Sequence, residues 1–191
     1  MYNRGQIMSE EECLILTDWA NKLLPKMKQL TNNRYNYTLF QSDTSVIPLV
    51  WEIRDRIIKK EGLESYIQEP ILKDFLAILP PGSFIHKHRD SNHLGLLHTR
   101  FNVFLQVPDL GGITYYDDKV VDAKAGSYVI SRSGIDEHWS TPIEGTESRI
   151  SISYGWILPS EKLDSLTSDI SLGKYRLYPL TYNGVLKNSS S

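Results

Sequence analysis

Two imidazoles and one carboxylate stand at a spacing that suits a metal: His88 and Asp90 close the run HKHRD (86–90), and a lone His138 lies far downstream in DEHWSTP. Two ligands from one strand and a third from a distant one are what a facial-triad Fe(II) site requires. Such a triad fills one face of an octahedron and leaves the other open, and open positions serve chemistry, whereas a structural metal site closes its shell. Arg149, eleven residues beyond His138, opens the run RISISYGWIL, with Ser151 two places on and on the same face if the run is a strand. A guanidinium beside a hydroxyl suits a carboxylate, the first as a bidentate fork and the second as a further donor. In an otherwise apolar strand a buried charge needs a partner, and a dicarboxylic cosubstrate would provide one.

Alternate side chains of a strand share a face, so His86, His88 and Asp90 point the same way if the strand runs that far. An ordinary facial triad takes only two of them. The HxD pair is favoured, which leaves His86 as a neighbour of the site. Four of the five histidines (His86, His88, His93 and His98) fall within thirteen positions, so a second reading keeps His86, His88 and His138 around Zn(II) or Mn(II), with Arg149 structural. Taken singly, each histidine is as well explained by a surface or hydrogen-bonded role, and a lone arginine by a surface ion pair.

The elements that must position these residues can be read from patterning. Ser9 followed by three glutamates, with Glu12 at the third place, is a capping box at a helix start. Leu14, Ile15, Trp19, Leu23 and Leu24 then predict its buried face. A second helix is predicted over 46–60, burying Val50, Ile53, Ile57 and Ile58, with a strand at YNYTLF (35–40) between the two. From Lys73 the pattern changes to short runs, DFLAIL, FIHKH, FNVFLQV, ITYY, SYVIS and RISISYGWIL, punctuated by Gly and Pro, with His138 expected at the end of a strand. Many short strands after a helical beginning argue for a mostly β fold with N-terminal helices, a jelly roll. We expect a single domain over 1–191, in which 1–70 is a helical support, 71–159 the jelly-roll core and 160–191 a C-terminal extension. A short helix is expected near Ser160, an aromatic return at Tyr175, Tyr178 and Tyr182, and a frayed end. Residues 91–99 are expected to form a lid beside the site.

The bulk numbers exclude more than they assign. The formal charge of −2 on 191 residues gives no footprint for nucleic acid, and the single cysteine, Cys13, rules out a disulfide framework or a cysteine-rich zinc module. The start lacks the apolar stretch of a signal peptide, and no run of about 18 apolar residues occurs, so the expectation is a cytoplasmic protein with no membrane partner.

Over residues 75–158 the order of fragments resembles the Fe(II)- and 2-oxoglutarate-dependent dioxygenases: PPG, the HRD pair, RFNVFLQVP, GGITYY, the AKAGS turn, His138, then Pro142, Gly145 and RIS ahead of Tyr154 and Trp156. The family fold is the double-stranded β-helix, a cupin-like jelly roll, in agreement with the strand pattern. The resemblance implies Fe(II) on His88, Asp90 and His138, and the distal carboxylate of 2-oxoglutarate on Arg149 and Ser151. It further implies consumption of O2, release of succinate and CO2, and transfer of hydroxyl to substrate. Members that halogenate lack the carboxylate ligand, so Asp90 favours hydroxylation.

Two subfamilies are mixed in this chain. GGITYY and the AKAGS turn are similar to prolyl 4-hydroxylases, which commonly carry Lys where Arg149 stands and a Tyr on the strand before HxD, where this chain has Leu79 and Ile85. LPPGSFIHKH and Arg100 are similar to aspartyl/asparaginyl β-hydroxylases, which typically lack the HxD carboxylate and carry His where Asn102 stands. Arg100 and Asn102, on alternate positions of one strand, are candidate pocket residues, and Tyr115 or Tyr116 is expected to point inward, with Tyr115 taken as the cosubstrate neighbour. Trp139 and Trp156 are expected in the core. The substrate is expected to be a peptide or protein side chain, with a free amino acid or other small molecule as the rival. A cupin-like enzyme that does not use 2-oxoglutarate and a non-catalytic jelly-roll binding module remain as alternatives.

Overall fold

The structure, a computed structural model, describes residues 3–92 and 95–167. Its N-terminal strand β1 (Asn3–Gln6) leads to helix α1 (Glu10–Leu23), where the Ser9 hydroxyl accepts from the Glu12 amide and the Glu12 carboxylate accepts from the Ser9 amide. The capping box therefore forms as the sequence predicts. The buried face forms only in part: Trp19 and Leu23 are inside as expected, joined by Cys13, Leu16 and Ala20, whereas Leu14 and Ile15 are 66% and 46% exposed. Leu16, Trp19, Ala20 and Leu23 follow the helical repeat and fix the stripe on Trp19, leaving Leu14 and Ile15 rotated away from it. Leu16→Ala should cost about 3 kcal/mol in denaturant unfolding, while Leu14→Ala should stay within about 0.5 kcal/mol of wild type.

Two short strands, β2 (Lys28–Gln29) and β3 (Tyr35–Thr38), form a hairpin ahead of α2 (Pro48–Glu61), which starts with Pro48 in its first turn and stops at Gly62 in the left-handed conformation. Val50, Ile53 and Ile57 are fully buried, and Ile58 packs at the margin. The remaining elements are β4 (Ile67–Gln68), β5 (Phe75–Leu79), β6 (Ile85–His88), β7 (Leu97–Gln106), β8 (Thr114–Tyr116), β9 (Lys119–Val121), β10 (Ser127–Ser131), β11 (His138–Ser140), β12 (Arg149–Leu158) and α3 (Ser160–Leu166). Residues 1–70 thus give four strands as well as helices. His138 opens β11 rather than closing a strand, and Leu97–Thr99 belong to β7 rather than to a lid. The lid's His93 and Leu94, and the aromatic return at Tyr175, Tyr178 and Tyr182 with the chain end, lie outside the described residues.

All strand pairs are antiparallel and fall into two sheets, a jelly roll. The larger runs β1-β10-β7-β12-β5-β3-β2, with β4 beside the end of β12, and the smaller runs β6-β11-β8-β9. Period-two alternation gives the large sheet two different faces. Leu76, Ile78, Phe101, Val103, Ile130, Ile150, Ile152 and Tyr154 pack with the helices in the main core. Their neighbours in sequence, Ala77, Leu79, Asn102, Phe104, Ser131, Arg149, Ser151 and Ser153, line a cavity facing the small sheet. Trp156 is buried as expected, whereas Trp139 is half-buried at that cavity.

Candidate metal centre and its cavity

The small sheet brings the distant ligands together. β11 pairs with β6 so that His138 lies directly across from His88, with ring centroids 4.2 Å apart. Asp90 follows the end of β6 and is held by its amide, which donates to the Ser133 carbonyl at 2.8 Å. His88 Nε2 is 3.6 Å from Asp90 Oδ1, and His138 Nε2 is 4.0 Å from Asp90 Oδ2. Donor atoms from all three lie within 4.8 Å of one another, close enough to surround one ion. His86 is outside this group.

The histidines are oriented as metal ligands are. His88 Nδ1 is 2.7 Å from the His86 carbonyl and His138 Nδ1 is 3.3 Å from the Asp136 carbonyl, so each ring has an acceptor for its Nδ1–H and turns Nε2 toward Asp90. Burial, opposed by the Asp90 charge, holds the His138 imidazole below its ordinary pKa, which keeps its lone pair free near neutrality. The Asp136 carbonyl is itself fixed by a buried bidentate pair, Arg132 Nε to Asp136 Oδ2 at 2.8 Å and Nη2 to Oδ1 at 2.7 Å. That pair was not apparent in the sequence, because a buried Arg–Asp pair four residues apart reads like any charged turn.

Arg149 is 5% exposed and forms no ion pair among the described residues. Its Nη1 donates to Thr114 Oγ1 at 2.7 Å and to the Gly112 carbonyl at 3.3 Å, while Nε is buried with no hydrogen-bond partner. Burial brings its pKa down to about 10, with the ionised form of Tyr116 opposing and Arg34 adding to the shift, so it stays cationic at neutral pH. A buried cation with no counter-charge is what an absent anion would leave.

The cavity measures about 390 Å³, within the range of small-ligand sites. Besides His88, Asp90, His138 and Arg149, it is lined by Arg34, Asn36, Asn102, Thr114, Tyr116, Ser151 and Ser153 among others. Asn36 Oδ1 and Ser153 Oγ are buried without partners, as Arg149 Nε is. Continuing the alternation Arg149, Ser151 by one step reaches Ser153, a step open to sequence reading. Nothing local in the sequence marks Asn36.

The other expected pocket residues divide. Asn102 lines the cavity and donates through Nδ2 to the Tyr116 hydroxyl at 3.1 Å. Tyr116, not Tyr115, is the inward tyrosine: Tyr115 stacks flat on Trp139 at 5.1 Å, one step out of phase along β8. Arg100 borders the cavity, but its guanidinium is engaged by Glu69 Oε2 at 3.0 Å, by His98 Nε2 at 2.8 Å and by the Lys73 carbonyl. Gly155 lies opposite, where a Cβ would stand 2.6 Å from Arg100 Nη1. His98, behind the site, places Nδ1 4.0 Å from Asp90 Oδ2.

No protein-family model matches the sequence, and no curated protein matches it. Solved structures do. A prolyl 4-hydroxylase of Pseudomonas putida is 16% identical over 82% of this chain and 91% of its own, with a TM-score of 0.60. A Trichoplax adhaerens prolyl hydroxylase, solved with a hypoxia inducible factor peptide, is 15% identical over 86% of each chain, with a TM-score of 0.61. The chain shares the fold of these prolyl hydroxylases. A further neighbour, HygX of Streptomyces hygroscopicus, solved with nickel and 2-oxoglutarate bound, is 12% identical over 91% of this chain and 90% of its own, with a TM-score of 0.59. The jelly roll that the sequence resemblance implies is the fold these structures share with the chain. No helix among the described residues is long and apolar enough to cross a membrane.

Proposed function

We propose that this chain is an Fe(II)- and 2-oxoglutarate-dependent dioxygenase that hydroxylates a peptide or protein side chain and releases succinate and CO2. The observation that carries the reading is the sharing of one cavity by the His88, Asp90, His138 cluster and the unpaired buried cation Arg149. The donor set fits Fe(II), being two imidazoles and one carboxylate that converge from one side. Bound there, iron with 2-oxoglutarate and O2 would supply the oxidation of a substrate C–H bond.

The chain's own part is placement. Arg149, steadied by Thr114 and the Gly112 carbonyl, offers Nε and its remaining edge to the distal carboxylate, and Ser151, two residues along β12, offers a hydroxyl to the same group. Asn102, beside Ser153 on the large sheet, and Tyr116, on the small sheet, hold one another across the cavity. Asp90 fills the ligand position that a halide would need, and this favours hydroxylation. A peptide substrate is supported by the Trichoplax neighbour, which was solved with a peptide.

Anaerobic addition of Fe(II) and 2-oxoglutarate should give a weak visible charge-transfer band. An enzyme that does not use 2-oxoglutarate, or a binding module without catalysis, would give none. Absence of the band with iron demonstrably bound would remove 2-oxoglutarate from the reading.

A further inference from the structure

Arg34 has no part in the metal cluster, yet it faces the same cavity. It ends the hairpin turn between β2 and β3, where Asn32 and Asn33 both take positive φ and the Leu30 amide donates to the Arg34 carbonyl at 2.6 Å. The turn is pinned from outside by Ser83 Oγ, buried, which donates to the Asn33 carbonyl at 3.1 Å. One register step before Tyr35↔Ile78 sets Arg34 against Leu79, and Leu79 pairs with Arg149 on its other side. Arg34, Leu79 and Arg149 thus form a row across three strands, with Arg34 and Arg149 about 10 Å apart at the backbone.

The Arg34 guanidinium is half-buried, and among the described residues it has no hydrogen bond or ion pair. Its charge is felt by Arg149, and it lies within reach of the Asp90 carboxylate. Lys28, exposed at the rim of the same cavity, adds a second cation. Among the described residues Asp90 is the only carboxylate on the lining, and Arg100 is already balanced by Glu69. In the site as assigned above, the two charges of Fe(II) and that of Arg149 are cancelled by Asp90 and the two carboxylates of 2-oxoglutarate. Arg34 and Lys28 are left over in the cavity. Such an arrangement favours an anion and penalises a neutral or cationic group in the same place.

We propose that the substrate presents a carboxylate to Arg34, with Lys28 drawing it in at the rim, so that an acidic group lies next to the carbon that is oxidised. This rests on the assignment of the site to 2-oxoglutarate chemistry. The carboxylate is either that of a free amino acid or that of an acidic side chain in a peptide, and these two sources share the same recognition. A planar, bidentate fork gives Arg34 a preference for carboxylate over the isosteric amide.

The test uses the full chain loaded with Zn(II), which is redox-inert, and saturated with 2-oxoglutarate. Binding is measured by calorimetry for two matched pairs of probes: L-leucine with L-leucinamide, and acetyl-Ala-Glu-Ala-amide with acetyl-Ala-Gln-Ala-amide. In at least one pair the acid should bind about tenfold or more tightly than the amide. Arg34→Gln should erase that difference and leave 2-oxoglutarate affinity at the wild-type value. Preference within the first pair assigns a free amino acid, and within the second a polypeptide. Equal binding of acid and amide in both pairs, or a preference that survives Arg34→Gln, overturns the proposal. So does a loss of 2-oxoglutarate affinity in Arg34→Gln, which would make Arg34 a second clamp on the cosubstrate. Failure of 2-oxoglutarate to bind the zinc-loaded wild type is seen before any probe is added, and would overturn the assignment of the site and this proposal together.

Discussion

A His138→Ala variant should fold, retain the wild-type circular dichroism spectrum, and emerge from anaerobic reconstitution with almost no Fe(II), where wild type holds one ion. The ring is half-buried at the cavity wall and opens a three-residue strand, so its removal takes a donor from the cluster without opening the main core. Two remaining ligands, His88 and Asp90, leave a weak chelate, and activity should fall to background. A His86→Ala variant is the matched control, since the His86 contribution to the site is a backbone carbonyl. Wild-type iron content in His138→Ala, measured by metal analysis, would show that the cluster is not the metal site.

Arg149→Ala should weaken 2-oxoglutarate binding by about 3–5 kcal/mol, the scale for stranding one partner of a buried ion pair, or roughly 100-fold and more in dissociation constant. Arg149→Lys should fall between, because an ammonium supplies charge without the planar fork. The same loss relieves an uncompensated buried cation in the free protein, so Arg149→Ala should be at least as resistant to denaturant as wild type when no cosubstrate is present. A merely structural arginine predicts the opposite pair of results: unchanged cosubstrate affinity and lower stability.

The strands that carry the site were legible because strand period and hydrophobic alternation are local properties. Arg149 to Leu158 is a strand from end to end as RISISYGWIL suggests, and the capping box at Ser9 and Glu12 forms in full. Failures came where partners decide. Leu14 and Ile15 are as apolar as Leu16, and only the way α1 sits on the main core chooses among them. Tyr115 and Tyr116 differ by one step of a strand, and the pairing of β8 with β11 decides which of them faces the cavity. Arg100 has the residue type of a substrate anchor, yet Glu69 and the Lys73 carbonyl, far apart in sequence from it, occupy its guanidinium. Arg34 could not be found by motif at all, because its position depends on a hairpin turn and on the register of two strands.

The two-faced large sheet also shapes how this protein can change. Along β12 the residues that touch the cavity and those that build the main core alternate one by one, so an insertion or deletion of a single residue there would exchange the two sets at a stroke. Length variation is therefore barred from the strands and left to the loops. Within the strands, only one-for-one replacement on the cavity side can alter selectivity while the helical side stays intact. Asn36 and Ser153, whose buried atoms lack partners, are the positions where such replacement meets least resistance from folding, since an apolar residue there removes an unsatisfied group. A more heat-tolerant descendant of this chain would be expected to arise at those two positions, and to have traded away some of its grip on whatever the cavity holds.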